Sequence, residues 1–263
     1  MTMIETRGRV LGLTRIGVWV LFVLAAANGL FLYLVPARAK TEYAWSIIPP
    51  VNAAFIGAGF LAGTLATVLA LRAARWREFS LLPPALWVLA TSLFAATLIH
   101  HDRFKFHYAP TWVWTFVYAV VPLAIPVLVY RQQRVAEPLP PREMNPLRVV
   151  NAVFGIGILI GAVALYASPG LGEHWLWALT PLLARAVAAW YALFGTMLLT
   201  FAIGMRHPRE GLIGYATLLT WSVLLLLLPP LHRGDVSGGL LWYVLMVALA
   251  ALSAFGIRRA THP

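Results

Sequence analysis

The chain has 263 residues, of which 61% are hydrophobic and only 11% are charged, whereas about a quarter of the residues in a soluble domain are charged. This composition excludes an ordinary soluble globular protein and predicts an integral membrane protein. The absence of cysteine excludes disulfides, thiolate catalysis and cysteine-ligated zinc or iron–sulfur sites.

Apolar runs of membrane-spanning length follow one another along the chain. About 20 apolar residues cross the ~30 Å hydrocarbon core as a helix, because each residue rises about 1.5 Å. Eight runs approach this length: 16–35, 51–71, 84–99, 112–129, 149–167, 181–203, 212–228 and 240–257. The sequence therefore predicts an all-α, polytopic membrane protein with eight transmembrane helices and no sizeable soluble domain.

The net charge of +11 is distributed unevenly between the two sides that these runs define. If the N-terminus is cytoplasmic, fourteen of the 20 Lys and Arg residues fall on the cytoplasmic side and five fall outside. This asymmetry follows the positive-inside rule and predicts a bacterial inner-membrane protein with both termini in the cytoplasm. Because the basic residues are spread over every cytoplasmic turn, they form no continuous stripe, and nucleic acid is not an expected partner.

The two halves of the chain repeat each other at an offset of about 132 residues. The matched residues of the first half are Arg15, Tyr33, Pro36, Trp45, Pro49, Gly63, Thr64, Arg77, Glu78, His100 and Trp112. Their counterparts are Arg148, Tyr166, Pro169, Trp177, Pro181, Gly195, Thr196, Arg209, Glu210, His232 and Trp242. Since each half contains four runs, both enter the membrane from the same side, which predicts a parallel repeat about an axis along the membrane normal. The predicted domains are a first four-helix module at 1–131, a proline-rich cytoplasmic linker at 132–146 and a second module at 147–263.

Most of the unusual polar residues fall on the outer side of this predicted bundle. A histidine ends the third run, a matched histidine lies beyond the seventh, and an aspartate follows each of them closely. Asparagines lie in the first run and at the start of the second. The candidate ligand-binding residues are Arg185, Asn28, Asn52, His100, His232, Asp102, Asp235 and Glu173.

Arg185 lies within an apolar run, four residues beyond Pro181 and hence about 6 Å below the outer end of its helix. At this depth its long side chain can reach the interface and pair with an outer-loop carboxylate, Glu173 or Asp235. Its counterpart in the first half is Ala53, so the charge belongs to one module only. A guanidinium at a single asymmetric site would suit a carboxylate, a phosphate or a lipid headgroup.

The matched His100 and His232 raise a separate hypothesis, in which they ligate one haem or one metal ion across the axis between the modules. Histidines at helix ends near the interface more commonly act as capping or hydrogen-bonding groups, and no cofactor is the expectation. The sequence contains no Walker motif, dinucleotide-binding glycine loop, HExxH or G-x-S-x-G motif, so an NTP-driven pump or a soluble-type hydrolase is disfavoured, and a protein without enzymatic activity is favoured over an enzyme.

The repeated Trp-x-x-x-Pro, small-residue helix and Arg-Glu pattern resembles that of bacterial multipass membrane proteins and implies no particular site. Three functional hypotheses stay open. The first is binding, or passive transport, of a small amphipathic anion or lipid at an outward-facing cavity between the repeats. The second is a non-catalytic subunit that scaffolds partner membrane proteins, and the third is a haem or metal enzyme. Proton-coupled transport is disfavoured, because no Asp or Glu lies inside any of the eight runs.

Overall fold

The computed structural model describes residues 8–139, 141, 146–237 and 239–262, and this part of the chain is mainly helical, with no β-strand. Helices satisfy their backbone hydrogen bonds internally, as a hydrocarbon environment requires. The eight long helices are α1 Gly12–Leu34, α2 Pro50–Arg72, α3 Pro83–Ile99, α4 Ala109–Gln133, α5 Leu147–Ala167, α6 Pro181–Gly204, α7 Leu212–Leu226 and α8 Leu240–Thr261. Short helical turns flank several of them at Pro36–Arg38, Ala39–Glu42, Trp76–Glu78, His101–Arg103, Pro169–His174, Pro208–Gly211 and Leu228–Leu231.

Within the described residues, seven helical segments are long and apolar enough to cross a membrane. One of them is α7 together with its two flanking turns, Pro208–Leu231. The remaining long helix, α3, is not among these segments, because it has only 17 residues and is about 25 Å long. Prolines begin this helix, and the backbone leaves the helical conformation at His100. The chain is therefore a multi-pass membrane protein with seven candidate spans and one shorter apolar helix.

The helices agree with the predicted apolar runs in position, but most of them extend further. For example, α1 begins four residues before its run, and both α4 and α8 end four residues after theirs. Polar residues end an apolar run without ending the helix, because the backbone still gains hydrogen bonds there. Four helices, α2, α3, α4 and α6, begin with proline in the first turn, where its missing N–H has no intrahelical partner to lose. Residues 140 and 142–145 of the predicted linker lie outside the described residues.

The helices pack in pairs that correspond between the two halves of the chain. The helix α1 lies along α2, and α5 lies along α6. The second helix of each half then packs against the third helix of the other half, which pairs α2 with α7 and α6 with α3. As a result, α6 and α7 are the most buried of the candidate spans, whereas α1 and α4 bury few of their side chains.

The two ends of this bundle differ in charge. The first described helix, α1, starts at the same end of the bundle at which the last one, α8, finishes. At this end the Arg15 guanidinium donates hydrogen bonds to the carbonyls of Leu71 and Ala73. We call this the basic end. Its arginines are Arg9, Arg15, Arg72, Arg75, Arg77, Arg131, Arg134, Arg148, Arg206, Arg209, Arg258 and Arg259. The opposite end holds Arg185 and the loops that precede α2 and α6.

Candidate functional site

Arg185 lies near the start of α6, at the end of the bundle opposite the basic end. The helix begins at Pro181, and the Thr180 side chain caps it by accepting a hydrogen bond from the Leu183 N–H at 3.3 Å. This capped start fixes the first turns and aims Arg185 at the end of α3. There its Nη1 lies 2.7 Å from Nε2 of His100, a contact between the two halves of the chain.

The guanidinium of Arg185 is only partly satisfied. Its Cζ lies 5.9 Å from the centroid of the Tyr166 ring at the end of α5, within range of a cation–π contact. Its Nε is buried and has no hydrogen-bond partner. No carboxylate of the described residues lies within 4.0 Å of Arg185, so the predicted pairing with Glu173 or Asp235 is absent from this structure. A half-buried cation therefore stands at this end of the bundle without a counterion from the described chain.

His100 serves this cation as a hydrogen-bond acceptor. Burial is the main cause that lowers the pKa of His100, and the neighbouring Arg185 charge lowers it further, while Asp102 acts in the opposite direction. Because Arg185 carries only donors, Nε2 of the neutral imidazole has to accept, and the ring proton then sits on Nδ1. The pair is consequently a neutral histidine beside a full positive charge.

The two asparagines belong to internal contacts and not to this cluster. Asn52 is fully buried, with its Nδ2 donating to the carbonyls of Ile48 and Ala178 and its Oδ1 accepting from Trp177 Nε1 at 2.8 Å. Asn52 therefore joins the loops that precede α2 and α6. Asn28 donates to the Leu24 carbonyl and accepts from the Tyr43 hydroxyl at 3.0 Å. The side-chain amides of both residues are engaged within the protein and not directed toward a ligand.

The remaining candidates are dispersed over the same end of the bundle. His232 Nδ1 lies 3.8 Å from the Asp235 carboxylate, and burial lowers the pKa of this histidine while Asp235 raises it. Asp102 forms an exposed ion pair with its neighbour Arg103 at 3.1 Å. Glu173 is exposed. In the described chain no three His, Asp or Glu side chains form a group that could hold a metal ion, and His100 and His232 contact different partners.

Two features of this structure were not singled out from the sequence. Tyr166 is matched to Tyr33 in the repeat, but nothing in the pattern indicates that its ring lies beside Arg185. The other feature is a cavity about 230 Å³ in volume, lined mainly by α1 to α4 of the first half and closed by α6 and Thr217 of α7 from the second half. It lies toward the basic end and is separate from Arg185.

Comparison of the chain with protein-family models, curated proteins and solved structures gave no match. The class that the fold defines is a multi-pass, all-helical membrane protein.

Proposed function

We propose that the eight long helices cross one membrane as two parallel four-helix modules related by a pseudo-twofold axis. Two hydrogen bonds between the modules support this arrangement. Tyr33 donates to the Leu224 carbonyl at 3.0 Å, and Tyr166 donates to the Ser92 carbonyl at 2.7 Å. Both the donors and the acceptors correspond at the repeat offset, so each bond is the counterpart of the other. The reciprocal packing of α2 with α7 and α6 with α3 has the same symmetry.

The proposed orientation places the basic end in the cytoplasm of a bacterial cell and the Arg185 end outside the inner membrane. Positive residues concentrate on the cytoplasmic side of membrane proteins, and the basic end carries both ends of the described chain. In this arrangement the 17-residue α3 is at the lower limit of spanning length. A short span of this kind is accommodated by local thinning of the bilayer.

Within this arrangement, the protein binds the anionic group of a small amphipathic molecule or lipid where Arg185 meets His100. The observation that carries this proposal is the half-buried guanidinium without a carboxylate within 4.0 Å in the described chain. A positive charge near low-dielectric surroundings attracts a counterion more strongly than one in bulk water. The guanidinium fork also matches the oxygen pairs of carboxylates and phosphates.

The site is asymmetric, because the counterpart of Arg185 in the first module is Ala53, which is fully buried. Its ligand contacts come from Arg185, with His100 and Tyr166 holding the guanidinium in place. Asn28, Asn52, Asp102, His232 and Asp235 contact other neighbours, and Glu173 is exposed, so the proposed site does not include them. A single anionic group at the junction of the modules is therefore the expected ligand.

The test compares anion binding by the full-length protein and its Arg185→Ala variant. Two probes are used separately, phosphatidylglycerol in nanodiscs and inorganic phosphate, so that a lipid headgroup and a free anion are distinguished. A hydrogen bond to a charged group contributes about 1.5 to 3 kcal/mol, so the variant should bind at least one probe roughly 10- to 100-fold more weakly.

Alanine already occupies the matched position 53, so the α6 backbone should tolerate the change, and elution on gel filtration checks the fold. The matched control is Arg233→Ala, which removes an exposed arginine from the same end of the bundle. Unchanged affinity of Arg185→Ala for both probes, or an equal loss in Arg233→Ala, contradicts the proposed site. Arg185 would then only snorkel toward the interface.

A further inference from the structure

The cavity in the first module lies among helices that cross the membrane. It extends from Gly59 and Trp190 near mid-bilayer to Thr14, Trp76 and Phe79 near the basic end. Its walls are apolar side chains of α1, α2, α3 and α4, and α6 forms its floor. At about 230 Å³ it is larger than the ~150 Å³ apolar cavity that accommodates benzene in a soluble protein.

The threonine hydroxyl groups at the wall already form hydrogen bonds inside the protein. Thr14 donates to Gln132 at 3.0 Å, Thr67 donates to carbonyls of its own helix, and Thr217 donates to the Ile213 carbonyl at 2.7 Å. A polar ligand or a chain of water molecules would therefore find few partners there. The wall selects an apolar occupant.

Four lining positions carry larger side chains in the second half of the chain, a comparison that rests on the proposed two-module alignment. At the repeat offset, Gly59, Ala66, Pro83 and Leu89 correspond to larger side chains in the second half. These are Tyr191, Leu198, Tyr215 and Trp221, all buried. In the second half the same fold accommodates large buried side chains at these four positions, so the small side chains in the first half are not imposed by the architecture. Protein interiors are otherwise packed to the density of organic crystals.

The burial of the lining residues indicates that the cavity opens toward the surrounding bilayer between α1 and α4. These helices meet at the basic end, where Gln132 binds Thr14 and where a Cβ on Gly17 would lie 3.1 Å from Leu128. Farther from that end, the lining residues Leu21 and Val121 are only half-buried. The neighbouring outer faces of both helices expose large apolar side chains to the membrane.

We infer that this cavity binds an acyl chain of an anionic phospholipid from the leaflet at the basic end. Hydrocarbon is the chemistry available at this depth, and the opening gives it access from the bilayer. Arg72 and Arg131, at the basic ends of α2 and α4, are exposed and have no ion pair among the described residues. They lie within three residues of the lining residues Ala70 and Leu128, so they can neutralise a headgroup there.

The test uses photolabelling of the full-length protein in nanodiscs. The probe is phosphatidylglycerol with a diazirine on one acyl chain, and labelled positions are mapped by peptide mass spectrometry. Phe194 and Met197 of the floor are buried, so bulk lipid outside the protein cannot contact them. Labelling of these two residues is expected, and it should be at least three-fold stronger than with the corresponding phosphatidylcholine probe. No floor labelling overturns the proposed chain site, and equal labelling by both probes overturns the anionic headgroup.

A cavity-filling variant provides the second arm of the test. Ala66→Leu with Thr67→Leu introduces the residues found at the matched positions of the second module, Leu198 and Leu199. Floor labelling should fall at least ten-fold, whereas Val120→Leu with Val127→Leu, on the exposed face of α4, should leave it unchanged. Retained labelling in the filled variant contradicts the inference. If the filled variant does not fold, the labelling of the wild-type floor still decides.

The two proposed sites fail independently. Arg185→Ala should leave floor labelling unchanged, because Arg185 does not line the cavity. Conversely, filling the cavity should leave phosphate binding at Arg185 unchanged. Loss of floor labelling in Arg185→Ala would contradict their separation.

Discussion

An unoccupied cavity in the first module should make the stability of this protein depend on bound lipid. We consider removal of lipid by extensive detergent exchange, applied to the wild-type protein and to the Ala66→Leu and Thr67→Leu double variant. In a protein core, residual cavity volume costs about 24 cal/mol per Å³. The volume of about 230 Å³ then corresponds to about 5.5 kcal/mol if the helices do not relax at all.

Partial collapse of the helices lowers this cost, so roughly half of it is a realistic expectation. For a chain of this size, about 1 kcal/mol shifts the unfolding midpoint by roughly 2 to 4 °C. Delipidation should therefore lower the Tm of the wild type by about 5 to 10 °C more than that of the filled variant. Thermal unfolding is followed by loss of the folded peak on gel filtration after heating.

The Val120→Leu and Val127→Leu double variant controls for added apolar volume on the lipid-facing surface. It should lose as much Tm on delipidation as the wild type, because its cavity is intact. If the wild type and the filled variant lose the same Tm, the cavity holds no stabilising lipid and this reasoning is refuted.

Two further predictions concern contacts between the modules. Glu210 forms an ion pair with Arg77, and the two side chains are only 11% and 19% exposed, respectively. Because these charges are largely desolvated, the Glu210→Gln substitution should lower the free energy of unfolding by about 2 to 3 kcal/mol. The same change at the exposed counterpart Glu78 should cost less than about 1 kcal/mol, and equal Tm shifts would contradict the inter-module role of Glu210. Burial and the Arg185 charge lower the pKa of His100 in the folded protein. As the pH falls, His100 is therefore protonated in the unfolded chain before it is protonated in the folded protein, and the free energy of unfolding should decrease below pH 6.5. His100→Gln should flatten the Tm profile between pH 8 and pH 5, leaving the contribution of His232; an unchanged slope would contradict the neutral state of His100.

The positions of the helices could be predicted from the sequence, because a long run of apolar residues marks a segment whose transfer from water into hydrocarbon is favourable. The run at 84–99 illustrates the limit of this signal. Hydropathy places a span there, but Pro83 and His100 confine the helix to 17 residues, which is shorter than the seven candidate spans. In contrast, α1 begins before its apolar run and α4 ends after its run, because both helices include polar residues that a hydropathy count excludes.

The candidate site was predictable only in part, because hydropathy does not specify how helices rotate against each other. The depth and asymmetry of Arg185 could be read from the sequence, but its contact with His100 depends on α6 packing against α3. Asn28 and Asn52 have the same polarity as ligand-binding residues, and only their facing partners show that they are tied to Tyr43 and Trp177.

The differences between the two halves are as informative as their identities. In the proposed two-module arrangement the shared residues serve the architecture, and this explains why the bonds of Tyr33 and Tyr166 correspond at the repeat offset. Under the same proposal, residues that break the symmetry are not required by the architecture that the two halves share. Arg185 opposite Ala53 and Gly59 opposite Tyr191 are two such departures, the first near the end of the bundle opposite the basic end and the second near its middle. Since an unpaired charge and an unfilled volume both cost stability, each departure is best explained by a ligand that compensates for it.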